Sequence, residues 1–319
     1  MIQVVIGVDI AKAKFEVARL ADGNYRHKPF DNTPEGFAWF VEWLASFGDE
    51  APPVCLESTG AYSIPLAEHL VEQGFRVSVV NPAKIAAFAN SELSRAKTDK
   101  AEAKLIARYA LAMQPSPWTP PPREIREWQA LLRRVEHRLE MQQMEKNRLS
   151  TADPAVADSI QAVLATLEQE LKATRDKIRQ LIDGNPGLKH RADLLESIPG
   201  VGAATAAWLL TLLSEHYGFT DAKQAVAHVG LAPAIRQSGQ WAGKTRLSKT
   251  GDPLARKALY MPMLSALRFN PALRPCCERL KASGKNGKAI VCAAMRKLIH
   301  IAFAILKSGK PFDPNFSLA

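Results

Sequence analysis

Acidic residues nearly vanish from the last third of this chain. After residue 225 there are 3 Asp or Glu against 16 Lys or Arg, while the first 225 residues hold 29 acidic and 26 basic side chains. The whole excess of positive charge, +10 overall, therefore lies at the C-terminal end. Such asymmetry points to a polyanionic partner, most often nucleic acid. Cysteine is also scarce. Cys55, Cys276, Cys277 and Cys292 show no C-x-x-C spacing and no nearby histidine pair, which argues against zinc. Adjacent Cys276 and Cys277 are poorly placed for a disulfide, and a reducing cytoplasm fits. Long apolar runs are missing too. The longest uncharged stretch, "SIPGVGAATAAWLLTLLS" at 197–214, is broken early by Pro199, Gly200 and Gly202, leaving a helix too short to span a bilayer. It reads as a buried helix, and no membrane association is expected. "MIQVVIGVDI" has no basic n-region, so no secretory leader is expected.

What is present reads as a folded protein, 47% hydrophobic and 23% charged. Residues 2–10 read as a buried strand, 14–21 as its hairpin partner and 25–30 as a third strand. In "TPEGFAWFVEWLASF" Thr33 caps a helix, Pro34 takes its first position, and Phe37, Phe40, Val41 and Leu44 form its apolar face. "PPVCLEST" is a strand ending at Glu57, followed by a helix closed by Gly74 and a strand in "RVSVVNP". This order predicts a mixed α/β domain over 1–114. The five prolines of "PSPWTPPPR" predict a linker at 115–123. Over 124–183, Ile125, Trp128, Leu132, Val135 and Leu139, then Ile160, Leu164, Leu167, Leu171, Thr174, Ile178 and Leu181, repeat in heptad steps. They predict an antiparallel coiled-coil hairpin that bends at Asp153-Pro154, either a plain spacer or, since a thin hairpin with one apolar stripe gains by pairing, a dimerisation arm. The remainder, 184–319, reads as all-helical. Within it, "LLESIPGVGAATAAWLL" resembles a helix-hairpin-helix whose Gly200 and Gly202 expose backbone N–H groups to a phosphate.

Four acids stand out against this frame. Asp9 ends the first strand and Glu57 ends a later one. Asp99 and Glu102 sit three apart on a helix capped by Thr98, hence on one face. A carboxylate at the end of a buried run is costly unless it is paired, metal-bound or at the solvent edge. Hard oxygen donors of this kind suit Mg²⁺ or Mn²⁺. Two such ions about 4 Å apart stabilise the attacking and leaving oxygens of a phosphodiester.

The order Asp, Glu, then two acids in "KTDKAEAKLIA" resembles the RuvC-like, ribonuclease-H-fold domain of DEDD transposases. These form the insertion-sequence group called IS one-ten, with the related Piv-type DNA invertases. The resemblance runs along the chain through "GVDIAK", "ESTGAY", "VNP…FA", "AKTDKAEAKLIARYA", "IPGVG", "GLAPAIRQSG" and "RLSKTGDPLARKALYMP". The group's fourth acid is usually Asp, and here it is Glu102.

The resemblance implies that Asp9, Glu57, Asp99 and Glu102 are catalytic metal ligands, and that Ser238 in the R-x-S-G motif is a nucleophile. A serine hydroxyl needs activation, and the cations Arg236, Lys244, Arg246 and Lys249 lie close to it in sequence, with Arg256 and Lys257 beyond, to bind nucleic acid and offset charge. The implied activity is Mg²⁺-dependent strand cleavage and exchange through a covalent phosphoserine link on double-stranded donor and target DNA. A structured guide RNA and a homodimer or homotetramer are implied partners. Two rivals are weighed against this. A metal-dependent nuclease or junction resolvase would form no covalent protein–DNA species. A non-enzymatic binding module would show no metal dependence.

Overall fold

A computed structural model describes residues 4–93, 98–235, 237–239, 241–243 and 245–314. The chain divides into two compact units, residues 1–120 and 121–319.

The first unit is built on a five-stranded sheet. Strands β1 (Val5–Ile10), β2 (Lys14–Ala21) and β3 (Asn24–Asp31) form an antiparallel meander. Strands β4 (Val54–Glu57) and β5 (Val77–Val80) then add parallel to β1, giving the order β3-β2-β1-β4-β5. Parallel pairing requires crossovers, and helices α1 (Pro34–Ala45) and α2 (Ile64–Glu72) supply them. Helices α3 (Pro82–Ser91) and α4 (Asp99–Met113) follow β5. Thr33 caps α1 and Thr98 caps α4, each accepting a backbone N–H in the first turn.

Strand alternation divides the side chains between two cores. Ile6, Val8, Ile10, Phe15, Val17, Val54 and Leu56 pack with Phe37, Phe40, Leu66 and Leu70 of α1 and α2. On the opposite face Val5, Ala18, Leu20 and Cys55 pack with Ala103, Ile106, Ala107 and Ala110 of α4. Gly7 faces α4 and makes this packing possible. A Cβ at Gly7 would lie 2.3 Å from both Ala103 O and Ala107 N, so the helix backbone touches the strand where a side chain would stand.

The proline-rich stretch does not hang free. Trp118 N–H donates to Val77 O (2.7 Å), and Ser78 Oγ donates to the carbonyls of Pro115 and Ser116 (both 3.0 Å). The segment thus covers the β5 edge of the sheet.

The second unit is mostly helical. Its long helices α5 (Arg123–Leu149) and α6 (Pro154–Asp183) are joined by a turn at 150–153 and pack along each other. Trp128, Leu132, Val135, Leu167, Leu171, Thr174 and Ile178 are buried as the heptad reading expects. The stripe then ends differently: Ile182 is buried and Leu181 is exposed. Four residues after Ile178, rather than three, returns the chain to the covered face. Helices α7 (Pro186–Glu196), α8 (Ala203–Leu212), α9 (Ala222–Val229), α10 (Pro253–Phe269), α11 (Arg274–Ala282) and α12 (Gly287–Ser308) complete the unit. Every residue of α8 from Thr205 to Leu212 is buried. Helix α12 is long and apolar enough by composition to cross a membrane, but here Val291, Met295, Leu298 and Ile299 supply the core of the unit.

The all-helical expectation fails over 233–247. There β6 (Pro233–Ala234) pairs with β9 (Arg246–Leu247), and β7 (Gln237–Ser238) pairs with β8 (Trp241–Ala242). Pro233, Gly239 and Gly243 are poor helix residues, and Gly239 adopts the positive φ (+55°) of a tight hairpin turn.

Gly7→Ala is expected to lower the unfolding free energy by about 2–3 kcal/mol in urea denaturation, because backbone must move to admit the methyl group. Gly23→Ala meets no atom within 4 Å and carries only the strain of its +76° φ, a cost of about 1 kcal/mol.

Candidate active site and nucleic-acid interface

The close seat of α4 on β1 sets the positions of the acids. Asp9 lies two residues beyond Gly7 on the same strand face. Glu57 lies one residue past the Val8–Leu56 register, beside Asp9 at the end of the neighbouring parallel strand. The first turn of α4 carries Asp99 and Glu102, just ahead of the Ala103 and Ala107 that meet Gly7. All four carboxylates thus belong to one end of one sheet face. Asp9 registers the consequence. Its carboxyl is half-buried and its pKa is pushed up to about 6, first by burial and then by the negative charges of Glu102, Glu57 and Asp99. Carboxylate oxygens are the donors that a hard divalent cation takes. Among the described residues no three acid, imidazole or thiol groups stand close enough to ligate one ion as they are. Lys14 Nζ lies 3.3 Å from Asp99 Oδ2 and draws that carboxylate to itself.

A fifth acid escapes the sequence reading. Glu16 is the cross-strand partner of Asp9. It is only 6% exposed, and its Oε2 has no hydrogen-bond partner among the described residues. Alternation in "KFEVARLA" puts Glu16 on one face with Ala18 and Leu20 but does not say what covers that face. The α4 packing covers that face, so the carboxylate is enclosed. Gly7 was missed as well. Its signal is a small residue in a strand two positions before an acid, which marks a close backbone approach.

The second unit carries Ser238. It sits near the tip of a β tongue, paired with Trp241 across the turn at Gly239. Ser238 and Trp241 are both exposed. The base of the tongue is fastened by Ser248 N–H to Ala232 O (2.9 Å) and Lys249 N–H to Gly230 O (3.2 Å). Arg246 and Lys249 are exposed on the returning arm. Arg236 and Lys244 lie outside the described residues. Arg256 and Lys257 are already engaged. Arg256 Nη1 donates to Val229 O (2.8 Å), and Lys257 Nζ pairs with Glu140 (2.7 Å) and Glu136 (3.7 Å) of α5. Gly200 and Gly202 lie in the turn between α7 and α8. Gly200 has φ +89°, and a Cβ there would lie 2.5 Å from Ala266 Cα of α10. Asn270 Nδ2 donates to Pro199 O (3.1 Å) and holds the turn down. Gly202 precedes α8 without a side-chain cap, leaving the first N–H groups of an exposed helix start for an anion.

The charge crowding at Asp9 has a sign that can be tested. Its pKa is higher folded than unfolded, so the folded state holds the extra proton. The contribution is full below the unfolded value and is lost as pH rises through about 6. In chelator, Asp9→Asn is therefore expected to melt at a higher temperature than wild type at about pH 8. The two should converge at about pH 4, where Asp9 is protonated.

Comparison with known proteins adds a separate line. Residues 6–152 match the DEDD transposase domain of the IS110 group, and residues 192–277 match the domain described as transposase IS116/IS110/IS902 family. The pilin gene-inverting protein of Moraxella bovis is 33% identical over 313 residues, covering 97% of each chain. An uncharacterized 43.6 kDa protein of insertion element IS110 from Streptomyces coelicolor is 26% identical over 158 residues, covering 50% of this chain and 38% of its own. With these matches at both ends, the chain belongs to the IS110 family of transposases, related to the Piv invertases.

Proposed function

We propose that this transposase cuts and rejoins DNA strands through a carboxylate-held divalent cation and a covalent serine link. The observation that carries the proposal is the placement of Asp9, Glu57, Asp99 and Glu102 at one end of one sheet face, close enough for the last three to press on Asp9. Asp9, Glu57, Asp99 and Glu102 hold the ion, Mg²⁺ or Mn²⁺, in a RuvC-like domain, a reading that the mixed five-stranded sheet supports. When bound, the ion neutralises charge building on the scissile phosphate.

Ser238 Oγ attacks the phosphorus, the serine loses its proton, and the bond to the 3′ oxygen breaks. That oxygen takes up a proton and leaves as a free 3′ hydroxyl, with the 5′ phosphate esterified to serine. After strand exchange a 3′ hydroxyl attacks the same phosphorus and releases Ser238, so the bond energy is conserved. The exposed position of Ser238 at a tongue tip suits attack on a large substrate. Arg246 and Lys249 steady the phosphates, with Arg236 and Lys244 as further cations from the same motif. The exposed start of α8, reached through a helix-hairpin-helix turn at Gly200 and Gly202, grips backbone without reading bases. Arg256 and Lys257 support the fold around this surface, given their bonds to Val229, Glu136 and Glu140. A guide RNA supplies sequence recognition, and the α5–α6 pair serves as a coiled-coil arm in a homodimer or homotetramer.

The test is a denaturing gel of labelled double-stranded DNA incubated with the protein, Mg²⁺ and the element's RNA. Wild type is expected to give a protein-linked band. Ser238→Ala should lose it by at least about a hundredfold, and so should Asp9→Asn. Cleaved DNA without any protein-linked band, equally from wild type and Ser238→Ala, would identify a nuclease in which water attacks.

A further inference from the structure

Glu16 and Lys14 have no part in the four-acid reading, yet both are built into the same end of the sheet. Lys14 opens β2 and Glu16 follows two residues later, directly across from Asp9. Enclosing a carboxylate is costly unless a partner offsets it. Glu16 has a poor one. Lys14 Nζ is 3.9 Å from Glu16 Oε1, beyond hydrogen-bond distance, and sits closer to Asp99. Glu16 Oε2 is buried with no hydrogen-bond partner among the described residues. The carboxylate borders an open hollow of about 550 Å³, lined by Glu16, Thr98, Asp99 and Lys100. An alanine or leucine at 16 would match Ala18 and Leu20 on the same strand face and carry no such cost. A buried, half-satisfied acid faces this hollow beside Asp99, with Lys100 on its wall, and keeps one oxygen free to take a cation.

Resting on the metal-site reading above, we infer that Glu16 is a fifth carboxylate of the divalent cation site. Lys14 is its resident counter-charge: a tethered ammonium that lies between Asp99 and Glu16 and yields its place when the ion enters. The site is therefore an exchange of one cation for another. Lys14 holds the start of α4 against β2 without the ion, and its release frees Asp99 to turn inward.

The two residues act in opposite directions, and that sets the test. The full-length protein is titrated with Mn²⁺ in the absence of DNA and RNA, and free ion is counted by electron paramagnetic resonance. Glu16→Gln is expected to weaken Mn²⁺ binding about tenfold, the scale of a supporting carboxylate. Lys14→Met should tighten it about three- to fivefold, the worth of one partly exposed ion pair. Lys12→Met, an equal loss of charge two residues away, should change it less than about twofold. Lys14 is half-exposed, so its variant folds even if Glu16→Gln does not. The inference falls if Glu16→Gln binds like wild type, or if Lys14→Met and Lys12→Met shift affinity alike. In either case loss of binding in Asp9→Asn leaves the four-acid site standing. If Asp9→Asn binds like wild type, or wild type binds no Mn²⁺, both readings fall together.

Discussion

One backbone contact governs the first unit: α4 lying on β1 at Gly7. A helix usually stands off a sheet by the thickness of two side-chain layers. Here glycine on the strand and alanines on the helix remove one of them, and the backbones meet. Asp99 and Glu102 extend from the helix start at the same level as Asp9 and Glu57 on the strand ends. A larger residue at position 7 would lift the helix and carry two of the four acids away. The small residues of this contact fix a distance, and the distance makes the charge cluster.

The cluster is in turn a stored conflict. Asp9 is half-buried among like charges, an arrangement that opposes folding and is sustained by the apolar packing on both faces of the sheet. Functional sites are often where burial and like charges are set against one another in this way. Lys14 is a partial answer supplied by the chain itself. The second unit solves a different problem. Its serine is displayed on a short tongue whose tip is exposed and whose base is fastened to α9 and to the loop before α10. Arg256 illustrates how a cation in a basic segment can be spent on architecture, bonding Val229 O at the end of α9.

Much of this was legible in the sequence, for reasons that can be named. Strand β1, helix α1 and helix α4 carry matched signals of periodicity and capping, and Thr33 and Thr98 do cap as read. The acids were legible because each ends or begins an element, where polarity is out of place. The tongue at 233–247 was not, since its strands are two residues long and depend on pairing across a turn rather than on any pattern of their own. Leu181 was misread because a heptad count cannot tell a three-step from a four-step where a helix pair meets the rest of the unit. Glu16 was invisible because alternation says which residues share a face, not whether a helix will cover that face. The commitments of Arg256 and Lys257 depend on partners far away in sequence and leave no local trace.

The most direct measurement is anomalous diffraction from a crystal of the protein soaked in Mn²⁺. A peak within about 2–2.2 Å of oxygens from Asp9, Glu57, Asp99 and Glu102 is the result this account predicts. A fully occupied Mn²⁺ elsewhere on the protein, with the end of β1 bare, would contradict it.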